Sequence, residues 1–104
     1  MIAVCRVGDV PEGTARRFAV GDREVAVVNL GGGSFRAVDA VCSHAHAYLD
    51  EGAVDVEGGT VECPKHGSTF DLVTGRPRSL PAIAPVTVFP VTVRDDEVLI
   101  EVTP

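Results

Sequence analysis

Glycine- and proline-rich turns recur so closely along this chain that they leave little room for a packed helix. Gly21-Asp22-Arg23, Gly31-Gly32-Gly33 and Gly58-Gly59 each separate two short apolar runs, the arrangement expected of β-hairpins. With 11 Gly and 7 Pro among 104 residues, a helical bundle is disfavoured. The fold class predicted is all-β, an antiparallel sandwich or barrel in one domain over residues 1–104.

The predicted strands are short and are interrupted at recognisable positions. Pro90 breaks the alternation of the strand at 86–93, so that strand is expected to lie at a sheet edge or to carry a bulge. Three prolines between Arg76 and Pro85 predict an irregular segment there. The predicted strands cover residues 2–7, 16–20, 24–30, 35–38, 54–56, 60–62, 70–73, 86–93 and 98–102.

The charge of the chain disfavours several classes of partner. Fifteen acidic against nine basic side chains give a formal net charge of −6, which opposes binding to nucleic acid or to an anionic membrane. Residues 1–40 carry five charges of each sign, so the whole acidic excess lies in 41–104 and predicts a partner that is at least partly basic. No signal peptide is recognised, and the apolar stretch Val25–Leu30 is too short to cross a bilayer. We expect a soluble, cytoplasmic monomer.

Two segments without a strand pattern hold the residues that can bind a metal. Cys42-Ser43-His44 is followed, after eighteen residues, by Cys63-Pro64-Lys65-His66. Two cysteines and two histidines on separate loops can hold a structural zinc ion, or a [2Fe–2S] cluster in which histidines replace two cysteines. Zinc fingers pair cysteine with cysteine at longer gaps, so the pattern favours the cluster. Four unrelated core residues are the remaining interpretation.

The stretch from Val41 to Pro85 resembles the Rieske-type [2Fe–2S] ferredoxin family. The family pattern, C-x-H and then C-P-x-H-G-x-x-F-D, is met by Cys42, His44, Cys63, Pro64, His66, Gly67, Phe70 and Asp71. The resemblance implies a β-sandwich with a small cluster-binding subdomain of two loops, at about residues 40–85. It also implies one [2Fe–2S] cluster per chain, with the two cysteines on one iron and the two histidines on the other.

The same resemblance assigns roles to three further residues. Gly67 would let the second loop pass close to the cluster, and Pro81, within Leu80-Pro81-Ala82, would belong to a loop that covers it. Ser68 occupies the position from which a serine hydroxyl approaches a cluster sulfur in high-potential members. Phe70 stands where those members have a tyrosine, and the chain lacks their extra cysteine pair. This combination is similar to the soluble, lower-potential bacterial branch.

The resemblance implies a one-electron carrier that takes electrons from a ferredoxin reductase and passes them to a multicomponent oxygenase. An oxygenase needs a second iron held by two histidines and a carboxylate, yet only His46 remains once the cluster has its ligands. No glycine-rich nucleotide motif is present, so the chain is not expected to accept hydride from NAD(P)H itself. We therefore expect an electron carrier rather than an enzyme. Alternatives are a ferredoxin of the actinobacterial iron–sulfur assembly (Suf) type, a nitrite reductase small subunit and a zinc-stabilised interaction module.

Several other reactive or charged residues are predicted to have ordinary structural roles. His46 is expected to be solvated or to lie behind the ligands, and Cys5 to be a buried structural thiol. Solvated turns are predicted at Asp50-Glu51 and at Asp95-Asp96-Glu97. Lys65, Arg76 and Arg78 are interpreted first as solvated surface charges. The alternative is that they form a docking patch for a partner.

Overall fold

The computed structural model describes residues 1–43, 46–65, 67–80, 82 and 84–102. The all-β prediction is confirmed. In the described residues the helical segments are two 3-10 turns, Val7–Asp9 and Leu49–Glu51. The strands are β1 (Ile2–Arg6), β2 (Ala15–Val20), β3 (Arg23–Asn29), β4 (Phe35–Asp39), β5 (Val54–Asp55), β6 (Thr60–Glu62), β7 (Thr69–Asp71), β8 (Val88–Phe89), β9 (Val91–Arg94) and β10 (Glu97–Ile100).

These strands form three antiparallel sheets. The outer sheet has the order β1-β10-β9, the central sheet β2-β3-β4-β8 and the distal sheet β5-β6-β7. The segment predicted as one strand at 86–93 is two strands in different sheets, and Pro90 separates them. Both β8 and β9 lie at sheet edges, as a proline without a backbone N–H requires.

The central sheet has a hydrophobic core on each face, and β3 shows why. Successive side chains of a strand point to opposite faces. Val25 and Val27 therefore pack in one core, while Ala26 and Val28 pack in the other, and all four are fully buried. This double burial explains the unbroken apolar run from Val25 to Val28.

The two cores differ in that only one of them contains the cysteines of the two motifs. One core lies between the outer and central sheets and contains Phe35, Phe89, Val98 and Ile100. The other contains residues of the central and distal sheets together with Cys42 and Cys63; its largest members are Leu49, Phe70 and Leu72. Both cysteine segments are therefore anchored in the same apolar interior.

Candidate metal centre

The first loop leaves the end of β4 and returns into the 3-10 turn at Leu49–Glu51. Val41 and Tyr48 form an isolated antiparallel bridge, and the Cys42 N–H donates to the Ala47 carbonyl at 2.9 Å. The Leu49 N–H donates to the Ala40 carbonyl at 2.7 Å, and the Leu49 side chain is fully buried. We call residues 42–47 the first loop. His44 and Ala45 lie outside the described residues.

The second loop, residues 63–68, connects β6 to β7. Glu62 and Thr69 are paired across these strands, and the Cys63 N–H donates to the Ser68 carbonyl at 2.7 Å. The Gly67 N–H donates to the Cys63 carbonyl at 3.0 Å, with Gly67 at a φ of 75°, where a side chain is strained. Gly67 thus allows a tight return of the chain, whereas its predicted role in letting the loop pass close to the cluster stays a prediction. His66 lies outside the described residues.

The two predicted cysteine ligands are buried in one place. Cys42 is 4% exposed, Cys63 is 0% exposed, and both belong to the core cluster around Phe70 and Leu72. Each is the first residue of its loop, and each donates its N–H to the carbonyl five residues on. Two buried sulfur donors from paired loops suit an iron–sulfur cluster, because thiolates are its usual ligands and an apolar shell limits solvent access.

The segment 78–84 contacts both loops. Beside the second loop, the Arg78 N–H donates to the Thr69 carbonyl at 2.7 Å, and Ser79 Oγ accepts from the Thr69 N–H at 2.9 Å. Beside the first loop, the Ser43 hydroxyl donates to the Ala84 carbonyl at 2.6 Å. Sequence reasoning missed this contact of Ser43, although a serine between two candidate ligands was the available signal. Pro81, the predicted covering residue, lies outside the described residues.

Ser68 is fully buried and links the second loop to this segment. Its Oγ accepts from the Ala82 N–H at 3.1 Å. A hydroxyl has one proton to donate besides the lone pairs that accept, so this bond leaves the proton for a second partner. Ser68 therefore holds the loop in place, and its predicted bond to a cluster sulfur is compatible with that role.

Asp71 closes the turn that follows β7. Its Oδ1 accepts from the Val73 N–H at 2.8 Å and from the Thr74 N–H at 3.0 Å, while Oδ2 accepts from Arg78 Nη2 at 2.7 Å. These backbone hydrogen bonds, assisted by the Arg78 charge, lower the pKa of Asp71. Of the three cations considered for docking, Arg78 is thus paired, whereas Lys65 and Arg76 are exposed and are in none of the ion pairs seen among the described residues.

Two of the minor predictions, for Asp50 and for Cys5, are wrong in part, while Glu51 is exposed as predicted. Asp50 is not a solvated turn residue, because its side chain is only 13% exposed and lies 4.0 Å from Arg17. Cys5 is only partly buried, on the edge strand β1 beside the core that does not contain the motifs. Burial, together with the nearby Asp9 charge, raises the pKa of its thiol.

His46 and the turn between β9 and β10 are exposed to solvent, as predicted. His46 is exposed and lines a cavity of about 190 Å³ with Val41, Ala47 and Tyr48. Asp95 and Asp96 are exposed in a two-residue turn, with φ of 51° and 68°. Among the described residues, no helix combines the length and hydropathy needed to traverse a bilayer.

Comparison with known proteins agrees with this fold and this pair of loops. The Rieske [2Fe-2S] domain model matches residues 1–90, so the chain belongs to the Rieske [2Fe-2S] domain family. It is 41% identical over 100 residues to the 3-phenylpropionate/cinnamic acid dioxygenase ferredoxin subunit of Escherichia coli (strain K12), covering 96% of this chain and 92% of that protein. The family membership indicates a single [2Fe–2S] cluster.

Two solved structures are similar along nearly the whole chain. The ferredoxin of carbazole 1,9a-dioxygenase from Nocardioides aromaticivorans IC177 has a TM-score of 0.91 and 38% identity, covering 95% of this chain and 94% of that one. A ferredoxin in a complex of reduced oxygenase and oxidized ferredoxin in carbazole 1,9a-dioxygenase has a TM-score of 0.86 and 40% identity, covering 96% and 100%. The relatives are thus ferredoxin components of oxygenase systems.

Proposed function

We propose that this protein is a one-electron carrier that takes electrons from a ferredoxin reductase and delivers them to the oxygenase component of a dioxygenase system. The observation that carries the proposal is the pair of matched loops, each starting at a buried cysteine, in a chain 41% identical to a dioxygenase ferredoxin subunit. A ferredoxin of this fold in complex with its oxygenase supports the choice of acceptor.

The proposed ligands are Cys42 and Cys63 for one iron and His44 and His66 for the other. The cluster supplies reversible one-electron chemistry at a potential of about −150 to +300 mV, above that of four-cysteine clusters. Two thiolates balance the charge of the oxidised cluster, so the oxidised site is about neutral. The buried cysteines keep water from the sulfur side, and each loop fixes its cysteine backbone by the hydrogen bond five residues on.

The protein is proposed to carry electrons rather than to catalyse a reaction. The chain has 3 His in all, and two of them are proposed cluster ligands, which leaves His46. A mononuclear oxygenase iron needs two histidines and a carboxylate, so this chain cannot supply one by itself. We place the carrier in the cytoplasm, as a single domain over residues 1–104 whose cluster-binding part is about 40–85.

The experiment is a single-turnover transfer to a defined acceptor. Reduced protein is mixed in a stopped-flow instrument with the oxidised terminal oxygenase of carbazole 1,9a-dioxygenase from Nocardioides aromaticivorans IC177, whose ferredoxin is 38% identical to this chain. The carrier's visible absorption should return as the oxygenase is reduced, at a rate that rises with oxygenase concentration.

Protein without its cluster is the control for this transfer. If loaded protein reoxidises no faster with the oxygenase than with buffer, and equally slowly with the oxygenase component of the 3-phenylpropionate/cinnamic acid dioxygenase, the proposed acceptor is wrong. Service in iron–sulfur assembly would then be the alternative to pursue.

A further inference from the structure

Arg17 joins the central sheet to the segment that returns from the first loop. It lies on β2, at the edge of that sheet, and its guanidinium carbon is 3.6 Å from the centroid of the Tyr48 ring. A guanidinium flat against an aromatic face is an attractive contact that lysine reproduces poorly. The Arg17 side chain is 32% exposed, so the contact is partly shielded from water.

Two carboxylates lie beside this contact, and one of them, Glu24, also bonds to Tyr48. Arg17 Nε is 3.7 Å from Glu24 Oε2, and Arg17 Nη1 is 4.0 Å from Asp50 Oδ1. The Tyr48 hydroxyl donates to Glu24 Oε1 at 3.2 Å. Glu24 and Arg17 lie on paired strands, whereas Tyr48 and Asp50 follow the first loop, so these contacts span two parts of the fold.

The first loop needs such a tie because its backbone support is slight. The second loop lies between β6 and β7, which pair from Thr60–Asp71 to Glu62–Thr69. The first loop ends instead at the single Val41–Tyr48 bridge and continues into a 3-10 turn. Tyr48 directly follows Ala47, whose carbonyl accepts the Cys42 N–H, so Tyr48 is one residue from the bond that fixes Cys42.

We propose that Arg17 is a positioning residue for the metal centre, which holds Tyr48 and through it the Cys42 side of the site. This inference rests on the proposed cluster and adds a residue outside both motifs. Loss of the Arg17–Tyr48 contact should loosen the first loop, shift the reduced-state electron-spin signal and speed the release of iron.

The test measures iron release from loaded protein to an excess of a ferrous chelator, together with the g values of the reduced cluster. Arg17→Ala should release iron roughly tenfold faster than wild type, a factor equal to about 1.4 kcal/mol, and should shift the g values. Arg17→Lys should give a smaller change. Arg16→Ala is the matched control, because Arg16 is the exposed neighbour on β2 whose Nη1 donates to the Asp9 carbonyl at 3.2 Å.

A double-mutant cycle separates positioning from a general loss of stability. Tyr48→Leu should match Arg17→Ala, and the double variant should be little worse than either, since both remove one contact. If Arg17→Ala does not fold, the cycle of Arg17→Lys with Tyr48→Phe is used. Additive effects, or release rates and g values equal to those of Arg16→Ala, would overturn the inference. Wild-type protein that binds no iron would instead refute the proposed cluster.

Discussion

The first and second loops begin with the same backbone hydrogen bond but depend on different supports. The second loop is held mainly by the backbone pairing of β6 with β7, to which the buried Ser68 adds one hydrogen bond with the Ala82 N–H. The first loop is held by one bridge, by the buried Leu49 and by side chains that reach across from the central sheet. Backbone pairing tolerates most surface substitutions, whereas side-chain support depends on particular residues. The two sides of the site should therefore respond differently to mutation.

Removal of either motif cysteine should have the largest effect on the site. Cys42→Ala and Cys63→Ala should each abolish the cluster, since both thiolates are proposed to bind the same iron. Cys5→Ala should retain full iron, because Cys5 lies beside the core that does not contain Cys42 and Cys63. Iron and sulfide analysis with the visible spectrum measures all three. Full iron in either motif variant would remove that cysteine from the ligand set.

Replacing the proposed histidine ligand of either loop by cysteine should lower the reduction potential of the cluster. A thiolate adds a negative charge at the iron, and all-cysteine plant-type clusters have potentials of about −400 mV. His44→Cys and His66→Cys, where a cluster assembles, should shift the potential downward by an amount on the order of 100 mV. His46→Ala should leave it unchanged, and a loss of the reduced-state signal in that variant would show that the ligands are misassigned.

Two glycines, one near each loop, should differ in how far alanine destabilises the protein. A Cβ at Gly52, in the chain returning from the first loop, would overlap the Glu62 carbonyl oxygen next to Cys63. A Cβ at Gly67 would meet no atom of the described residues within 4 Å, so the expected cost of Gly67→Ala comes from its φ of 75°. Gly52→Ala should reduce the free energy of unfolding by about 1–3 kcal/mol or more, and Gly67→Ala by about 1 kcal/mol. Urea unfolding of loaded protein measures both; a reversed order would contradict the packing described.

Asp71 should give the support of the second loop a pH dependence. Because its folded-state pKa is lowered, ionised Asp71 stabilises the fold above the ordinary value of 3.8, and this contribution disappears as the pH falls through the lower folded value. Asp71→Ala should cost about 1 kcal/mol at pH 7. The difference from wild type should shrink toward about pH 3. A difference that is the same at both pH values would show that the carboxylate charge has no part.

Substitution of Ser68 should have the smallest effect. It should change the reduction potential of the cluster but not the amount of cluster bound. A donated hydrogen bond favours the more negative reduced cluster, and one net hydrogen bond of about 0.5–1.5 kcal/mol corresponds to roughly 20–65 mV. Ser68→Ala should lower the potential by that amount, and Phe70→Tyr should raise it if the new hydroxyl reaches a cysteine sulfur. An unchanged potential in fully loaded Ser68→Ala would show that the Ser68 hydroxyl does not tune the cluster and serves only to accept the hydrogen bond from the Ala82 N–H.

The hairpins and the metal motifs were predictable because their signals are local. Gly21 and Gly59 have φ of 61° and 65° in the predicted turns, and Pro90 marks the change of sheet. The Arg17–Tyr48 contact was not predictable, since its partners are far apart in sequence and neither belongs to a motif. The partial burial of the Asp50 side chain was missed for the same reason. Two adjacent acidic residues predict a solvated turn, and only the folded structure shows Arg17 beside Asp50.

The two loops are proposed to hold one [2Fe–2S] cluster through two cysteines and two histidines. Its most direct test is metal and sulfide analysis of protein purified in air, combined with the electron-spin signal after reduction. We expect brown-red protein with about two irons and two sulfides per chain, and a reduced signal typical of mixed histidine and cysteine ligation. Colourless protein with one zinc per chain would contradict it.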